Sequence, residues 1–235
     1  MSEWNDNETM PAASKLGGAL AVIGGVSYFG LLVVHGDLPD ETAEAALAHI
    51  AGRDEWRLLK LAIVGSLFCW IGALAALARS LGRGASGLLA RWSHGVMTVG
   101  VAIVVVEYAV IGYALKDVAD AWQAARLPER ASHLAMAEVM LAIAGGLFHS
   151  FVTWLLGLGF LLAGAAVVLD RRYPRWLGWP VVVTGTGSLL AGATRFVGLN
   201  LVPYPLLYGA FVIPSALWLA VTGVLLWRTG AEPSS

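Results

Sequence analysis

The sequence predicts an all-α polytopic membrane protein, a bundle of six transmembrane helices with one outer interfacial helix. Hydrophobic residues make up 58% of the 235 residues and charged residues only 13%, whereas a soluble domain carries about a quarter charged residues. Six apolar stretches are each about 20 residues long or longer, and a segment of about 20 residues is enough to span a bilayer. Cationic residues flank only alternate gaps between these stretches, which is typical of a chain that crosses a membrane repeatedly.

The predicted spans form a single membrane domain over residues 1–235. They lie at 17–35, 58–79, 94–115, 139–169, 179–199 and 204–227. In the first span Gly17, Ala21 and Gly25 recur at four-residue spacing, a pattern that suits close helix packing. The acidic N-terminus lacks the cationic start of a signal peptide, so we expect this span to be retained.

The gap after the first span predicts a short helix on the outer membrane surface. Asp40 can cap its N-terminus, and the helix can run to Gly52. Glu41 and Glu44 fall in its first turn, where the helix dipole favours anions. Its apolar side consists of Ala43, Leu47 and Ile50. This one-sided pattern predicts an interfacial helix.

The fourth span is longer than a bilayer requires. Pro128 can begin a helix that continues into it without a break. The span itself, 139–169, would extend about 46 Å at 1.5 Å per residue, against a hydrocarbon core of ~30 Å. Its outer part is therefore expected to tilt or to protrude.

The charge distribution predicts the orientation. Six arginines lie in two alternate gaps: Arg79, Arg83, Arg91, Arg171, Arg172 and Arg175. The opposite gaps are acidic or mixed, with Asp37 in the first and Asp117 in the second. The positive-inside rule then places both termini in the cytoplasm. We expect the protein to reside in the plasma membrane.

Several classes of function find no support in the sequence. A net charge of −1 argues against nucleic acid as a partner. Cys69 is the single cysteine, so no intrachain disulfide can form. No metal-binding spacing of histidines or cysteines occurs, and we expect no metal site.

Four ionisable residues within the predicted spans fall at a similar depth. Counting about 1.5 Å per residue from the inner interface places Glu107, Arg195, His149 and His35 in the outer third of the bilayer. A charge in hydrocarbon is costly, so such groups face inward, pair and are candidates for function. We therefore predict that Glu107 and Arg195 pair inside an outward-facing polar pocket, with His149 and His35 on its wall.

Helical spacing adds four hydroxyl groups to this pocket. Thr184 and Ser188 share a face with Arg195, Thr153 shares a face with His149, and Tyr28 lies two turns below His35. The alternatives are structural: Glu107 and Arg195 can simply clamp two helices, His149 can bond a backbone carbonyl, and His35 can sit at the interface.

The chain resembles small bacterial membrane proteins, common in actinobacteria, that are catalogued as a domain of unknown function. Three stretches carry the resemblance: Val34-His-Gly-Asp-Leu-Pro39, the Ala-rich segment 43–52 continuing into 56–59, and Arg172-Tyr-Pro-Arg-Trp-Leu-Gly-Trp179. The resemblance implies a six-helix bundle and brings no established activity.

Four functions remain open, and one of them is a purely structural partner subunit, which the modest polar content would fit. The first is a pocket that binds or moves a small apolar or amphipathic ligand, with Arg195, His35, Tyr28, Thr153, Ser188 and Thr184 as binding residues. The second is a membrane-embedded enzyme for a lipid or isoprenoid, with Glu107 and His149 in acid–base roles. The third is a b-type haem protein with His35 and His149 as axial ligands. The lipid bilayer is the expected partner throughout, and a homo-oligomer or a partner membrane subunit is compatible with each.

Overall fold

The computed structural model describes residues 6–36, 38–39, 42–82, 84–203 and 206–229, and this part of the chain is helical without a strand. Its helices are α1 (Asp6–His35), α2 (Ala43–Ala51), α3 (Trp56–Ser80), α4 (Ala85–Tyr108), α5 (Leu115–Ala124), α6 (Leu127–Phe151), α7 (Phe160–Leu169), α8 (Arg175–Phe196) and α9 (Ile213–Thr229). Residues predicted to cap α2 or orient the chain, namely Asp37, Asp40, Glu41 and Arg83, lie outside the described residues, as does Tyr204.

Three π-helical segments join or precede these helices. The first (Ala109–Ala114) connects α4 to α5, the second (Val152–Gly159) connects α6 to α7, and the third (Leu207–Val212) leads into α9. Such segments are rare in proteins and occur often at functional sites. Because α4 and α6 continue through them, the chain forms two very long helices.

Five helices in the described residues are long and apolar enough to cross a membrane, which confirms a multi-pass architecture. They cover Ala12–His35, Trp56–Ser80, Ala85–Ala124, Leu127–Leu169 and Gly209–Arg228. The predicted fifth span corresponds to α8, which has 22 residues but an apolar run diluted by glycine, threonine and proline. The count of six spans is therefore not confirmed.

The long fourth helix follows the prediction. It begins at Leu127, with Pro128 in its first turn, and continues to Leu169 over 43 residues. At 1.5 Å per residue it measures about 65 Å, roughly twice the hydrocarbon thickness. If α7 lies within a bilayer, the end of α6 that begins at Leu127 therefore projects well beyond that bilayer.

Small residues bring the helices close together. α1 lies between α3 and α9, and α8 packs on α7 and on the second π-helical segment. A Cβ at Gly25 would lie 2.8 Å from the Ala216 carbonyl of α9, and one at Gly164 would lie 2.8 Å from the Val182 nitrogen of α8. Neither helix pair could approach so closely if the glycine were replaced by a larger residue. For Gly25 this agrees with the close packing predicted from the spacing of Gly17, Ala21 and Gly25.

The apolar side of the helix α2 is buried within the protein. Its apolar side chains Leu47 and Ile50 are completely buried, in a hydrophobic cluster with Trp56, Leu115, Val118, Trp122 and Ala137. Its N-cap is Thr42, whose hydroxyl accepts a hydrogen bond from the Ala45 amide over 3.1 Å. The apolar face from which an interfacial helix was predicted therefore packs on other helices, and the position of α2 relative to a membrane surface stays a prediction.

We call α2, α5 and the first half of α6 the cap, and the end of the bundle that carries it the cap end. The opposite end, where α3 and α7 finish, carries the exposed residues Arg79, Arg91, Arg171 and Arg175 and is called the arginine end. This division positions the candidate site, which lies directly beneath the cap.

Candidate functional site

Three ionisable side chains from three helices meet beneath the cap. They are His35 at the last residue of α1, Lys60 near the start of α3, and Glu107 near the end of α4. Lys60 is 2% exposed and Glu107 is 4% exposed. We call this group the buried polar site.

Lys60 lies at its centre. Its Nζ contacts His35 Nε2 and lies 4.4 Å from the centroid of the Trp56 ring and 4.6 Å from that of the Tyr108 ring. Aromatic faces attract an ammonium group electrostatically, and the attraction is strongest where water is excluded. The amine is therefore held by one imidazole and two aromatic rings.

The contacts of His35 determine where its ring protons lie. Nδ1 contacts the Gly36 carbonyl, which only accepts hydrogen bonds, so Nδ1 carries a proton. Nε2 then faces the Lys60 amine, and a single proton must lie between these two nitrogens. The contact joins a neutral imidazole to an ammonium or to a neutral amine, or an imidazolium to a neutral amine.

Glu107 is the unsatisfied member of the site. Lys60 interacts with it electrostatically, but no hydrogen bond joins the two in the described part of the chain. Oε2 of Glu107 is inaccessible to water and contacts no donor in the described residues. A buried carboxyl oxygen without a donor is costly, so this atom marks the place where a proton or a ligand would bind.

The first π-helical segment shapes the wall opposite Lys60. Gly112 lies in this segment, and a Cβ there would come within 3.0 Å of Lys60 Cγ and 3.1 Å of Lys60 Cβ. The Trp56 indole donates a hydrogen bond of 2.9 Å to the Ile111 carbonyl in the same segment. The segment thus supplies both the space for the lysine stem and an anchor for one of its aromatic neighbours.

Arg53 closes the site from the cap end. Its guanidinium donates to the carbonyls of Val34 over 2.9 Å and His35 over 2.7 Å, which are the last in α1. A cation is favourable at a helix C-terminus, where carbonyls lack partners. Arg53 also pairs with Glu55 at 3.3 Å, and burial together with the Arg53 charge lowers the pKa of His49 beside it.

The predicted pairing of Glu107 with Arg195 was wrong. In the described residues Arg195 forms no ion pair with Glu107, and its electrostatic neighbour is His149 on α6. Thr153, in the second π-helical segment, donates to the His149 carbonyl over 2.7 Å. The predicted single pocket is therefore divided into the buried polar site and a separate His149–Arg195 cluster.

The remaining predicted residues have packing roles that do not bring them to Glu107. Thr184 shares a 2.8 Å hydrogen bond with Ser215 of α9, and Ser188 is completely buried without a hydrogen-bond partner in the described residues. The Tyr28 ring lies 4.6 Å from that of Trp70 in the hydrophobic core. Helical spacing correctly aligned Thr184 with Ser188 but could not say which neighbouring helix they face.

A groove of about 640 Å³ runs between α1 and α3 and is separate from the buried polar site. It is lined by Ile23, Ser27, Gly30, Leu31, Val34, Ala62, Gly65, Ser66 and Cys69. Nine residues separate Lys60 from Cys69, which places them roughly 180° apart around α3. The groove therefore opens on the side of α3 that faces away from Lys60.

Comparison with known proteins adds no family or relative. No family model, no curated protein and no solved structure matches the chain. The resemblance to small bacterial six-helix proteins therefore stays a prediction. The described residues also contain no group of three or more His, Cys, Asp or Glu side chains placed to hold a metal ion.

Sequence reasoning missed Lys60 and Arg53. Lys60 lies three residues inside the second predicted span, a position where a lysine usually extends to the interface. The available signal was Trp56 four residues earlier, because residues at this spacing share a helix face and an aromatic ring there can cover the amine. His35 and Glu107 were identified from sequence, and the structure supplied the residue that joins them.

Proposed function

We propose that this protein binds or moves a small or amphipathic ligand at an intramembrane polar site formed by His35, Lys60 and Glu107. One observation carries the proposal: Glu107 is 4% exposed, and its Oε2 has no donor among the described residues, beside an amine that other groups hold in place. Intramembrane ionisable groups are expensive to retain, so they are functional candidates by default. Three helices contribute to the site, as in bundles that bind ligands between facing helices.

We further propose that the arginine end faces the cytoplasm of a bacterial cell, that both termini lie there, and that the protein resides in the plasma membrane. The excess of exposed arginine at this end, with Trp92, Trp176 and Trp179 exposed nearby, supports this orientation. The buried polar site then lies toward the outer face, beneath the cap.

A membrane-embedded enzyme for a lipid or isoprenoid is the second candidate. Carboxyl, amine and imidazole groups are the usual acids and bases of enzymes, and here all three meet. Such a reaction requires a substrate beside Glu107, and the closed packing around Oε2 supports a small ligand better. A haem ligand role for His35 is less well supported, because both of its ring nitrogens already have partners.

Native mass spectrometry of the protein in a mild detergent tests the proposal. We expect a bound mass on the wild type that is lost in Glu107→Gln and Lys60→Met. Arg195→Leu is the matched control, because it removes an intramembrane cation outside the site, and it should retain the mass. A bare wild-type chain would exclude a ligand of measurable mass at this site, and a mass lost only in Arg195→Leu would overturn the assignment of the site.

A further inference from the structure

We propose that the ligand of the buried polar site is a proton, and that the Lys60 side chain carries it between His35 and Glu107. This inference rests on the proposed function and makes its ligand specific. Its basis is geometric, namely a proton shared by two nitrogens on one side of the lysine and, on the other, a carboxyl oxygen that has no donor in the described residues.

Size is the first reason. Oε2 of Glu107 is inaccessible to water, so even a water molecule does not fit against it in this conformation. A proton needs no such space, because it forms an O–H bond within the existing volume. The same closed packing that disfavours a larger ligand is compatible with this one.

The contacts of Lys60 give the second reason. A single proton lies between His35 Nε2 and Lys60 Nζ, whichever nitrogen holds it, because His35 Nδ1 donates to the Gly36 carbonyl. Both nitrogens can release and accept protons. An arginine at the same place could not, because its guanidinium stays protonated in proteins.

Space for movement is the third reason. The Lys60 amine contacts His35 and interacts electrostatically with Glu107. The aliphatic stem of Lys60 passes over Gly112, and a Cβ added at Gly112 would press on Cβ and Cγ of the lysine. A lysine side chain rotates about four bonds, so rotation can move Nζ from the imidazole toward the carboxyl group. Gly112 keeps that path open.

The transfer balances without a further reactant. The Nε2–H bond of His35 breaks as an Nζ–H bond forms on Lys60. After the side chain rotates, one Nζ–H bond breaks as the O–H bond of Glu107 forms, and water at the cap end returns a proton to His35. Release follows the reverse order, and no group is oxidised or reduced.

Charged and titratable groups surround this path on every side that packs against Lys60. They are His35 of α1, His49 of α2, Arg53 of the following loop, and Glu107 and Tyr108 of α4. Arg53 and His49 lie between the site and the cap surface, joined by a contact of 3.5 Å. Proton entry is therefore expected from the cap end.

Infrared difference spectroscopy of the protein in phosphatidylcholine nanodiscs, stepped between acid and alkaline pH, tests the inference. We expect a carbonyl band of a protonated carboxyl group in an apolar environment whose intensity changes with pH. The band should vanish in Glu107→Gln, shift in Glu107→Asp and stay unchanged in Glu138→Gln, whose carboxyl is exposed on α6. A titrating band that is the same in the wild type and in Glu107→Gln would overturn the proposal.

The role of Lys60 is tested by the rate at which the Glu107 band shifts after transfer to D₂O. Lys60→Arg keeps the positive charge but cannot give up a proton, so hydrogen–deuterium exchange at the Glu107 carboxyl should slow by about 10²-fold. This factor is the lower end of what a positioned proton-transfer group contributes to a rate, about 10²-fold. Unchanged exchange in Lys60→Arg would remove Lys60 from the path.

Comparison with native mass spectrometry separates the two proposals. A bound mass that Glu107→Gln removes, with no titrating Glu107 band, would mean that the site holds a different ligand and that the proton inference fails. Neither a bound mass nor a titrating band would overturn both. A titrating Glu107 band without a bound mass would support the proton inference, since a proton leaves no resolvable adduct.

Discussion

At the scale of the residue, Lys60 determines the electrostatics of the bundle's cap end. It is 2% exposed, it neighbours the equally buried Glu107, and its ammonium is covered by Trp56 and Tyr108. Lys60 and Glu107 interact electrostatically out of water, so the loss of either would leave the other without its electrostatic partner in a medium of low dielectric constant.

Lys60→Met should therefore be strongly destabilising. Removing one partner of a buried pair typically costs about 3–5 kcal/mol, because the other charge is left uncompensated. Thermal unfolding in detergent measures this loss, and the double variant Lys60→Met/Glu107→Met should recover most of it. Arg195→Leu, in contrast, should leave the environment of Glu107 unchanged. A Lys60→Met protein as stable as wild type would contradict the pairing.

At the scale of the element, turns and caps at both ends hold the long helices in place. At the arginine end, Asp170 follows α7 and accepts hydrogen bonds from the Arg172 amide at 2.8 Å, Arg172 Nε at 3.1 Å, Arg172 Nη2 at 2.9 Å and Ser86 Oγ at 3.3 Å. This carboxylate ties the turn before α8 to the start of α4.

We call these hydrogen bonds of Asp170 the Asp170 clamp. The clamp predicts that the protein loses stability as the pH falls, and we call this loss the acid limb of the stability profile. Hydrogen bonds from Arg172 lower the pKa of Asp170 below its usual value. Its stabilisation is therefore complete above the unfolded pKa of about 3.9 and is lost as pH falls through the lower folded pKa. Asp170→Asn should cost about 1–3 kcal/mol at neutral pH and flatten the melting temperature between about pH 5 and 2.

Glu129→Gln, at an exposed position of the cap, is the control for that experiment and should keep the acid limb. An Asp170→Asn variant whose melting temperature falls with acid as steeply as that of the wild type would exclude the clamp as its cause.

At the cap end, Lys116 holds α2 against α5. It is 6% exposed, donates to the Ala51 carbonyl at the end of α2 over 3.2 Å, and pairs with Asp120 at 2.7 Å. Lys116→Met should loosen α2, and hydrogen exchange of its amides should accelerate by roughly tenfold for each ~1.4 kcal/mol lost. Exchange in α8 should not change. Arg126→Met, which removes an exposed cation of the cap, should leave α2 protected.

At the scale of the whole molecule, the orientation and the status of α8 can be tested together. In a Cys69→Ser background, cysteines at the exposed positions Gly52, Arg175 and Asn200 report on the cap, the arginine end and the loop after α8. An impermeant maleimide added to intact cells should label Gly52→Cys and Asn200→Cys but not Arg175→Cys.

The three labelling sites give separate answers. Labelling of Arg175→Cys in place of Gly52→Cys would invert the proposed orientation. Labelling of Asn200→Cys only after the membrane is permeabilised, like Arg175→Cys, would mean that α8 does not cross and that five spans are the full set in the described chain.

The sequence alone located five helices that are long and apolar enough to cross a membrane, and it showed which residues inside them are ionisable. Apolar runs of about 20 residues are local properties, as is the continuous helix that begins near Pro128, so both are readable without knowledge of the neighbours. Depth along a helix is also local, and for this reason the sequence could place His35 and Glu107 at a similar height, where both neighbour Lys60.

Only the tertiary structure decided which of these residues meet. A partner depends on the lateral order of the helices and on the rotation of each about its axis, and neither is encoded in hydropathy. The π-helical segments at Ala109–Ala114 and Val152–Gly159 further change the helical phase, because each adds residues to a turn. The lateral order and rotation of the helices place Glu107 beside Lys60 instead of Arg195, and a lysine at the edge of its span becomes the centre of the site.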